Sequence, residues 1–272
     1  VEDGRICGLR YGESEESFDA VIVCTGGRSY SMTGSDGDGY RFATEAGHTV
    51  TPLHPSLVPI VAEGKLCASL QGLSLKNVSL SIKLTQSGKS IYDDFGEMLF
   101  THYGITGPLV LSASAHLSDI APGKYEAVID LKPALDEKTL DARILSDFAK
   151  YQNRDLINAL DDLLPQKMIA PYIGLCGIDP RKKVNSITRE EREKMVQVLK
   201  GIRVPLVGFR PIEEAIVTRG GVSVKEVDPK TMQSKLVEGL YFAGEVLDVD
   251  AYTGGFNLQI AFSTGYVAGD TI

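Results

Sequence analysis

Two short apolar runs constrain this chain most, because each reads as a strand of a parallel sheet and about two hundred residues of other texture separate them. Ala20 to Thr25 is continuously apolar at its centre, the pattern of a strand covered on both faces, and it ends in Gly26-Gly27. Leu240 to Ala243 is the second run, broken by Gly244-Glu245. After a polar loop, Thr253-Gly254-Gly255 opens a helix pattern at Phe256. One sheet interrupted by a large insertion is the economical arrangement, with both strand ends facing one ligand. Glycines at Gly26, Gly27 and Gly244 let backbone approach that ligand without a Cβ in the way. The helix start at Gly254, Gly255, Phe256 and Asn257 offers free N–H groups to negative charge.

A third glycine-rich stretch, Thr33 to Gly39, follows the first run with the order G-x-x-G-x-G through Gly34, Gly37 and Gly39. It differs from the dinucleotide fingerprint G-x-G-x-x-G. A helix is expected through Ala46, with Asp36 or Asp38 as its cap and Gly47 as its stop.

From His54 onward the texture changes. Leu75 to Leu84, Gly88 to Asp93, Tyr125 to Leu131 and Arg203 to Gly208 alternate with period two, as antiparallel barrel strands do. Between Thr101 and Pro108 lie His102 and Tyr103, the candidates for the substrate side. Thr106 is expected to cap a helix over 109–116. Residues 136–200 read as helices over 137–152, 154–164 and 166–174, with a last one opened by Thr188 and Glu191 at capping-box spacing.

The expected segmentation is an α/β plus β chain. Residues 1–55 and 229–272 form a partial Rossmann-like domain, 56–135 and 201–228 an inserted β-barrel domain, and 136–200 a helical insertion. In the last helix, Ala261, Gly265 and Gly269 form a small-residue stripe suited to close packing against a sheet or cofactor.

Composition narrows the function. A net charge of -8 speaks against a nucleic-acid partner, whose affinity would come mainly from basic residues, and leaves a small-molecule substrate as the expectation. Cys7, Cys24, Cys67 and Cys176 are scattered without a CxxC pair, so neither a disulfide framework nor a metal site is expected, and a reduced cytoplasmic setting is. No apolar run reaches the roughly 20 residues of a membrane span. The opening Val-Glu-Asp-Gly-Arg reads as the middle of a hairpin, so the chain is expected to be a fragment.

Several motifs resemble the BaiN/RdsA-like (YhiN-like) NAD(P)/FAD-dependent oxidoreductases. They are the run from Val21 to Tyr30, Thr33 to Tyr40, Leu99 to Pro108, Ala215 to Val222, Gly244 to Asp250 and Thr253 to Gln259. The resemblance implies a glutathione-reductase-like FAD domain, an inserted barrel, a helical insertion and an N-terminal G-x-G-x-x-G unit that this sequence lacks. It further implies FAD as cofactor, NAD(P)H as a possible electron donor, and Thr25 together with the glycines above as flavin contacts. Glu245 and Asp248 are then suited to ribitol hydroxyls. The rival from another class is a non-catalytic ligand- or protein-binding module built on the barrel and helical lobe.

Overall fold

The computed structural model describes residues 1–117 and 119–272, and the chain divides into two compact units. Val1–Val58 and Arg210–Ile272 form the first, and Pro59–Phe209 the second.

In chain order the first unit begins with β1 (Gly8–Tyr11), β2 (Ser14–Ser17), β3 (Val21–Val23), α1 (Asp38–Glu45) and β4 (His54–Ser56). The second unit contains β5 (Ile60–Ala62), α2 (Leu66–Ser69), β6 (Ser74–Leu84), β7 (Ser90–Phe100), β8 (Gly104–Thr106), α3 (Pro108–Ser114) and β9 (Tyr125–Asp130). It continues through α4 (Glu137–Lys150), α5 (Gln166–Cys176), α6 (Arg189–Lys200) and β10 (Ile202–Phe209). The chain then returns to the first unit with β11 (Val217–Arg219), β12 (Leu240–Phe242) and α7 (Phe256–Thr271).

In the first unit β3 and β12 pair in parallel, Leu240 opposite Val21 and Phe242 opposite Val23. The two runs that the sequence holds so far apart are therefore neighbours in one sheet. Their side chains join Tyr40, Ala43, Val222, Val246 and Ala268 in one apolar core. β11 and β4 pair in a separate two-stranded sheet, Thr218 opposite Pro55.

The second unit is built on a closed six-stranded barrel in the order β10-β5-β8-β7-β6-β9. Alternation fixes which face is inside: Tyr125, Ala127 and Ile129 of β9 and Ile202, Val204 and Leu206 of β10 are buried while their neighbours are less so. β6 keeps the same alternation at Val78, Leu80 and Ile82, but Leu75 and Val78 stand three apart. A register shift between them accounts for this, with Asn77 in the left-handed region at φ 56°. Helices α4, α5 and α6 stand between β9 and β10, and their buried faces share one apolar core with the barrel.

Local chemistry explains most helix ends. Thr188 caps α6 by accepting from Glu191 N, while the Glu191 carboxylate accepts from Thr188 N, a complete capping box. Three expectations are corrected. α1 is capped by Gly37 at φ 96°, not by an aspartate, because the Asp36 carboxylate turns to accept Asp38 N instead. α3 starts after Gly107, not at a Thr106 cap, since Thr106 belongs to β8 opposite Leu99. Residues 154–164 form only a short 3-10 turn at Leu156–Asn158. There the N–H groups of Leu156 and Ile157 bond to the carbonyls of Lys182 and Pro180, and those of Asn158, Ala159 and Leu163 close three-residue turns on Asp155, Leu156 and Leu160, so the segment follows the neighbouring loop in place of a continuous helix.

Candidate functional site

The site is assembled where β3 and β12 end, and every contact that builds it lies within the first unit. α1 meets the end of β3 through Gly39: a Cβ there would stand 2.1 Å from Thr25 Oγ1 and 3.0 Å from Val246. Only glycine permits that approach. Gly26, at φ 79°, faces Ser35, and Gly27 packs on Thr218, whose Oγ1 a Cβ would meet at 2.5 Å.

Thr218 holds this corner together. Its buried hydroxyl oxygen accepts from Arg28 N at 2.8 Å and Ser29 N at 3.1 Å, across 190 and 189 residues of sequence. The N–H groups of Gly26 and Gly27 meet no protein acceptor among the described residues.

The end of β12 is fixed by different means. Gly244 N donates to Thr264 Oγ1 of α7 at 2.9 Å, and Tyr40 OH donates to the Glu245 carbonyl at 3.4 Å. Burial, reinforced by the Glu245 charge, pushes the Tyr40 hydroxyl up to about 12, so this phenol stays protonated at any ordinary pH. Burial likewise raises the Glu245 carboxyl above the usual carboxylate range. Ser56, fully buried on β4, donates to Asp250 Oδ2 at 2.7 Å and anchors the loop after Glu245.

α7 begins at Gly255, φ 91°, with no side-chain cap. The N–H groups of Phe256, Asn257 and Leu258 have no acceptor among the described residues, and the positive end of the helix dipole lies with them. Asn257 itself is occupied: its side chain accepts from Ala251 N and donates to Ala251 O, both at 2.8 Å, closing the loop before the helix. Its backbone, not its amide, remains available to a ligand.

The residue pattern matches the sequence family described as HI0933-like protein Rossmann domain over residues 1–271. The chain belongs to this family. Among curated proteins, the HI0933-like chain is 30% identical over 256 residues to a 3-dehydro-bile acid delta(4,6)-reductase of Clostridium scindens, covering 92% of this chain and 61% of that protein. It is 30% identical over 246 residues to the ribosomal RNA dihydrouridine synthase of Escherichia coli and 34% identical over 249 residues to that of Haemophilus influenzae. In both, the match covers 90% of this chain and 58% of the relative. The chain thus spans about three fifths of the length of these relatives. The BaiN/RdsA-like resemblance carried by the motifs is the same family.

Within this HI0933-like unit, Thr25, Gly26, Gly27, Gly37, Gly39, Gly244 and Glu245 are brought together by the contacts above and by Gly37 against Arg28. Asp248 is held close by its N–H bond to the Val222 carbonyl. Gly34 ends the turn Ser31–Thr33 at φ 107°, with open space where a Cβ would be. His102 and Tyr103 belong to the second unit, in the turn between β7 and β8, with ring centroids 4.9 Å apart. The small-residue stripe of α7 is used in part: Ala261 Cβ lies 3.8 Å from a Cβ built on Gly244, whereas nothing lies within 4 Å of one built on Gly265 or Gly269, and Leu258, Phe262 and Tyr266 are exposed.

Sequence reasoning missed Thr218, Tyr40 and the Ser56–Asp250 pair. The available signals were the motifs Ala215 to Val222, Thr33 to Tyr40 and Gly244 to Asp250, which contain Thr218, Tyr40 and Asp250, and Gly220-Gly221 two residues after Thr218, which marks a segment lying close against other backbone. It also passed over His48. That ring is buried, with Nε2 2.7 Å from Ser234 Oγ, Nδ1 3.2 Å from Glu226 Oε2 without hydrogen-bond alignment, and Phe242 edge-on at 4.8 Å.

Burial lowers the His48 pKa, and Glu226 only partly opposes this. Ser234 Oγ already accepts from Leu236 N and Val237 N, so its proton goes to Nε2 and a protonated ring would meet a filled oxygen. A folded-state pKa below the unfolded value makes the neutral ring's contribution fully present above about pH 6.5 and lost as pH falls through the lowered folded value. Thermal unfolding across that window is expected to show a midpoint decline that is reduced in His48→Gln; an unchanged decline in that variant would assign it to other groups.

No described group of three or more His, Cys, Asp or Glu side chains could hold a metal ion, and no described helix is long and apolar enough to cross a membrane. A cleft of about 470 Å³ between α4 and α6 is lined by Arg189, Arg192, Asp141 and Glu193 among others. Those charges already pair with one another, so it is a solvated groove and not a reaction centre.

Proposed function

We propose that the first unit is the flavin-ring half of an FAD site, and that the whole protein is a flavin-dependent reductase of carbon–carbon double bonds conjugated to a carbonyl. The observation that carries this reading is the uncapped first turn of α7 beside the glycine-lined ends of β3 and β12. A bound flavin supplies hydride acceptance and donation, which no side chain of this chain can provide.

The residues' own roles follow from their geometry. The free N–H groups of Phe256, Asn257 and Leu258 stabilise negative charge placed before the helix, an effect of roughly 0.3 to 2 kcal/mol from the dipole with direct hydrogen bonds added. Gly26 and Gly27 present backbone donors to a planar or phosphorylated ligand. Glu245 and Asp248 accept hydrogen bonds from polyol hydroxyls. Tyr40 and Thr218 hold these elements and touch no ligand. On the substrate side, His102 and Tyr103 remain the proposed pair.

The substrate class rests on what the relatives' names share. A delta(4,6)-reductase acting on a 3-dehydro steroid and a synthase that makes dihydrouridine both describe hydrogen added across a double bond conjugated to a carbonyl. The net charge of -8 favours a small molecule over RNA for this chain. NADH or NADPH is the proposed donor and the cytoplasm the proposed setting.

The test is to purify the full-length gene product and record its visible spectrum, then bleach the flavin with NAD(P)H and reoxidise it with an α,β-unsaturated ketone. Absence of flavin absorbance, with no FAD uptake on titration, would remove the reading. Tight ribosomal RNA binding that weakens steeply with salt, together with failure to turn over any enone, would transfer the substrate side to RNA.

A further inference from the structure

A second cavity lies wholly within the barrel unit and has no part in the flavin reading. It measures about 130 Å³ and opens between β6 and the residues that follow β9, with Leu75, Val78, Leu131, Leu164, Pro165 and Lys132 in its wall. The four aliphatic side chains are buried. The wall on the β6 side is the register shift between Leu75 and Val78, with Asn77 in the left-handed region. Such bulges re-aim side chains and occur often beside functional sites.

Lys132 is the unusual member. Its backbone is fixed on both sides, N donating to Asp130 Oδ1 at 2.8 Å and O accepting from Lys200 Nζ at 3.1 Å. The carboxylate nearest in sequence is already committed, since Asp130 Oδ2 pairs with Lys200 Nζ at 2.6 Å. Among the described residues the Lys132 ammonium has neither a carboxylate nor a hydrogen-bond acceptor of its own. Burial, and then the positive Arg143, hold its pKa below the ordinary lysine value. Arg143 is itself satisfied by Asp147 and the Asp162 carbonyl. A half-buried cation under repulsion from a second one, with no anion assigned to it, stands where an incoming negative charge gains most.

Size and lining decide which anion. At about 130 Å³ the cavity is smaller than the roughly 300–1,000 Å³ of pockets that hold drug-sized ligands, so it suits a head group and a few carbons and not a nucleotide. Inorganic phosphate would turn some of its oxygens toward leucine and valine, whereas a carboxylate with a hydrocarbon tail meets both kinds of wall. We propose that this cavity is a subsite for a short-chain carboxylate, its head group paired with the Lys132 ammonium and its alkyl part against Leu75, Val78, Leu131 and Leu164.

Butyrate is the probe, added to the full chain at constant ionic strength while the Lys132 side-chain resonance and the thermal unfolding midpoint are followed. The expected result is a saturable shift of that resonance and a rise in the midpoint, with neither produced by butyramide, chloride or inorganic phosphate. Lys132→Gln should abolish the midpoint response to butyrate, while Lys76→Gln, at the other lysine of the wall, which is exposed, should retain it. If Lys132→Gln does not fold, the contrast between butyrate and butyramide on the unaltered chain still decides. No response to butyrate, an equal response to butyramide or phosphate, or an undiminished response in Lys132→Gln would each overturn the assignment.

Discussion

Alanine at Gly221 is expected to cost about 3 kcal/mol of unfolding free energy, the effect of a strained backbone combined with a steric clash that cannot relax cheaply. Gly221 has φ 143°, and a Cβ built on it stands 2.6 Å from the Val246 carbonyl oxygen and 3.0 Å from the Leu247 carbonyl carbon. Both obstacles are backbone, so no rotamer change removes them. The segment is also held from both sides. Thr51 N donates to Gly221 O and Gly221 N donates to Thr51 Oγ1, while Val222 N donates to Val246 O and Asp248 N to Val222 O. Displacing it therefore moves the Gly244–Val246 turn and the loop carrying Asp248 together, so flavin uptake by the full-length protein should fall with stability. Gly265→Ala is the control: it sits inside α7 with nothing within 4 Å, and losing a helical glycine there should stabilise by up to about 1 kcal/mol. Urea unfolding of the two variants measures both signs. A Gly221→Ala chain as stable as the parent would show that the close backbone approach is not needed.

How much of this was legible in the sequence depends on the range of the interaction. The β3–β12 pairing could be read because each run is apolar on both faces and ends in glycine, so each carries its own evidence of burial. The barrel strands could be read for a related reason: Leu80, Ile82, Ala127, Ile129, Val204 and Leu206 alternate strictly, and alternation is a property of the strand alone. The Thr188–Glu191 capping box is local and matched. Residues 154–164 show the limit. Leu156, Leu160, Leu163 and Leu164 have helical spacing and are all buried, yet hydrogen bonds to the 180–182 loop replace the helix. That competition is set by residues more than twenty positions away, and periodicity carries no trace of it.

The site divides in the same way. Glycines are visible because their reason is conformational and local, whereas the groups that hold them are ordinary residues made significant by a distant partner. Tyr40 reads as one aromatic in a helix until the Glu245 carbonyl is found 205 positions later. His48 carries no local signal of its role, because Ser234, which its Nε2 meets, lies 186 positions away. Asn257 combines both kinds: its backbone N–H, offered by the glycine turn before the helix, is legible locally, whereas the bonds of its side chain to Ala251 are visible only in the folded loop.

Thr218→Val tests that distinction directly, because valine keeps the shape of threonine and removes only the hydroxyl. Thr218 is 1% exposed, and its Oγ1 is the acceptor for Arg28 N and Ser29 N. Ser29 is itself buried, so its N–H would be left without a partner, and Arg28 N would be left partly so. Each buried donor left unsatisfied costs about 1 to 3 kcal/mol, so the variant should lose roughly 2 to 4 kcal/mol. Thr218→Ser keeps the acceptor and loses one methyl, and should cost only about 1 kcal/mol. The order matters more than the sizes: if packing governed the site, serine would be the worse replacement; if the two N–H bonds govern it, valine will be. Flavin uptake by the full-length protein separates the consequences further, since Gly27 rests on Thr218 and Arg28 rests beside Gly37. Under the hydrogen-bond account, FAD affinity falls in the valine variant and is preserved by serine. Equal affinity in both, measured on folded protein, would place Thr218 in the scaffold alone and leave the glycines to position the ligand without it.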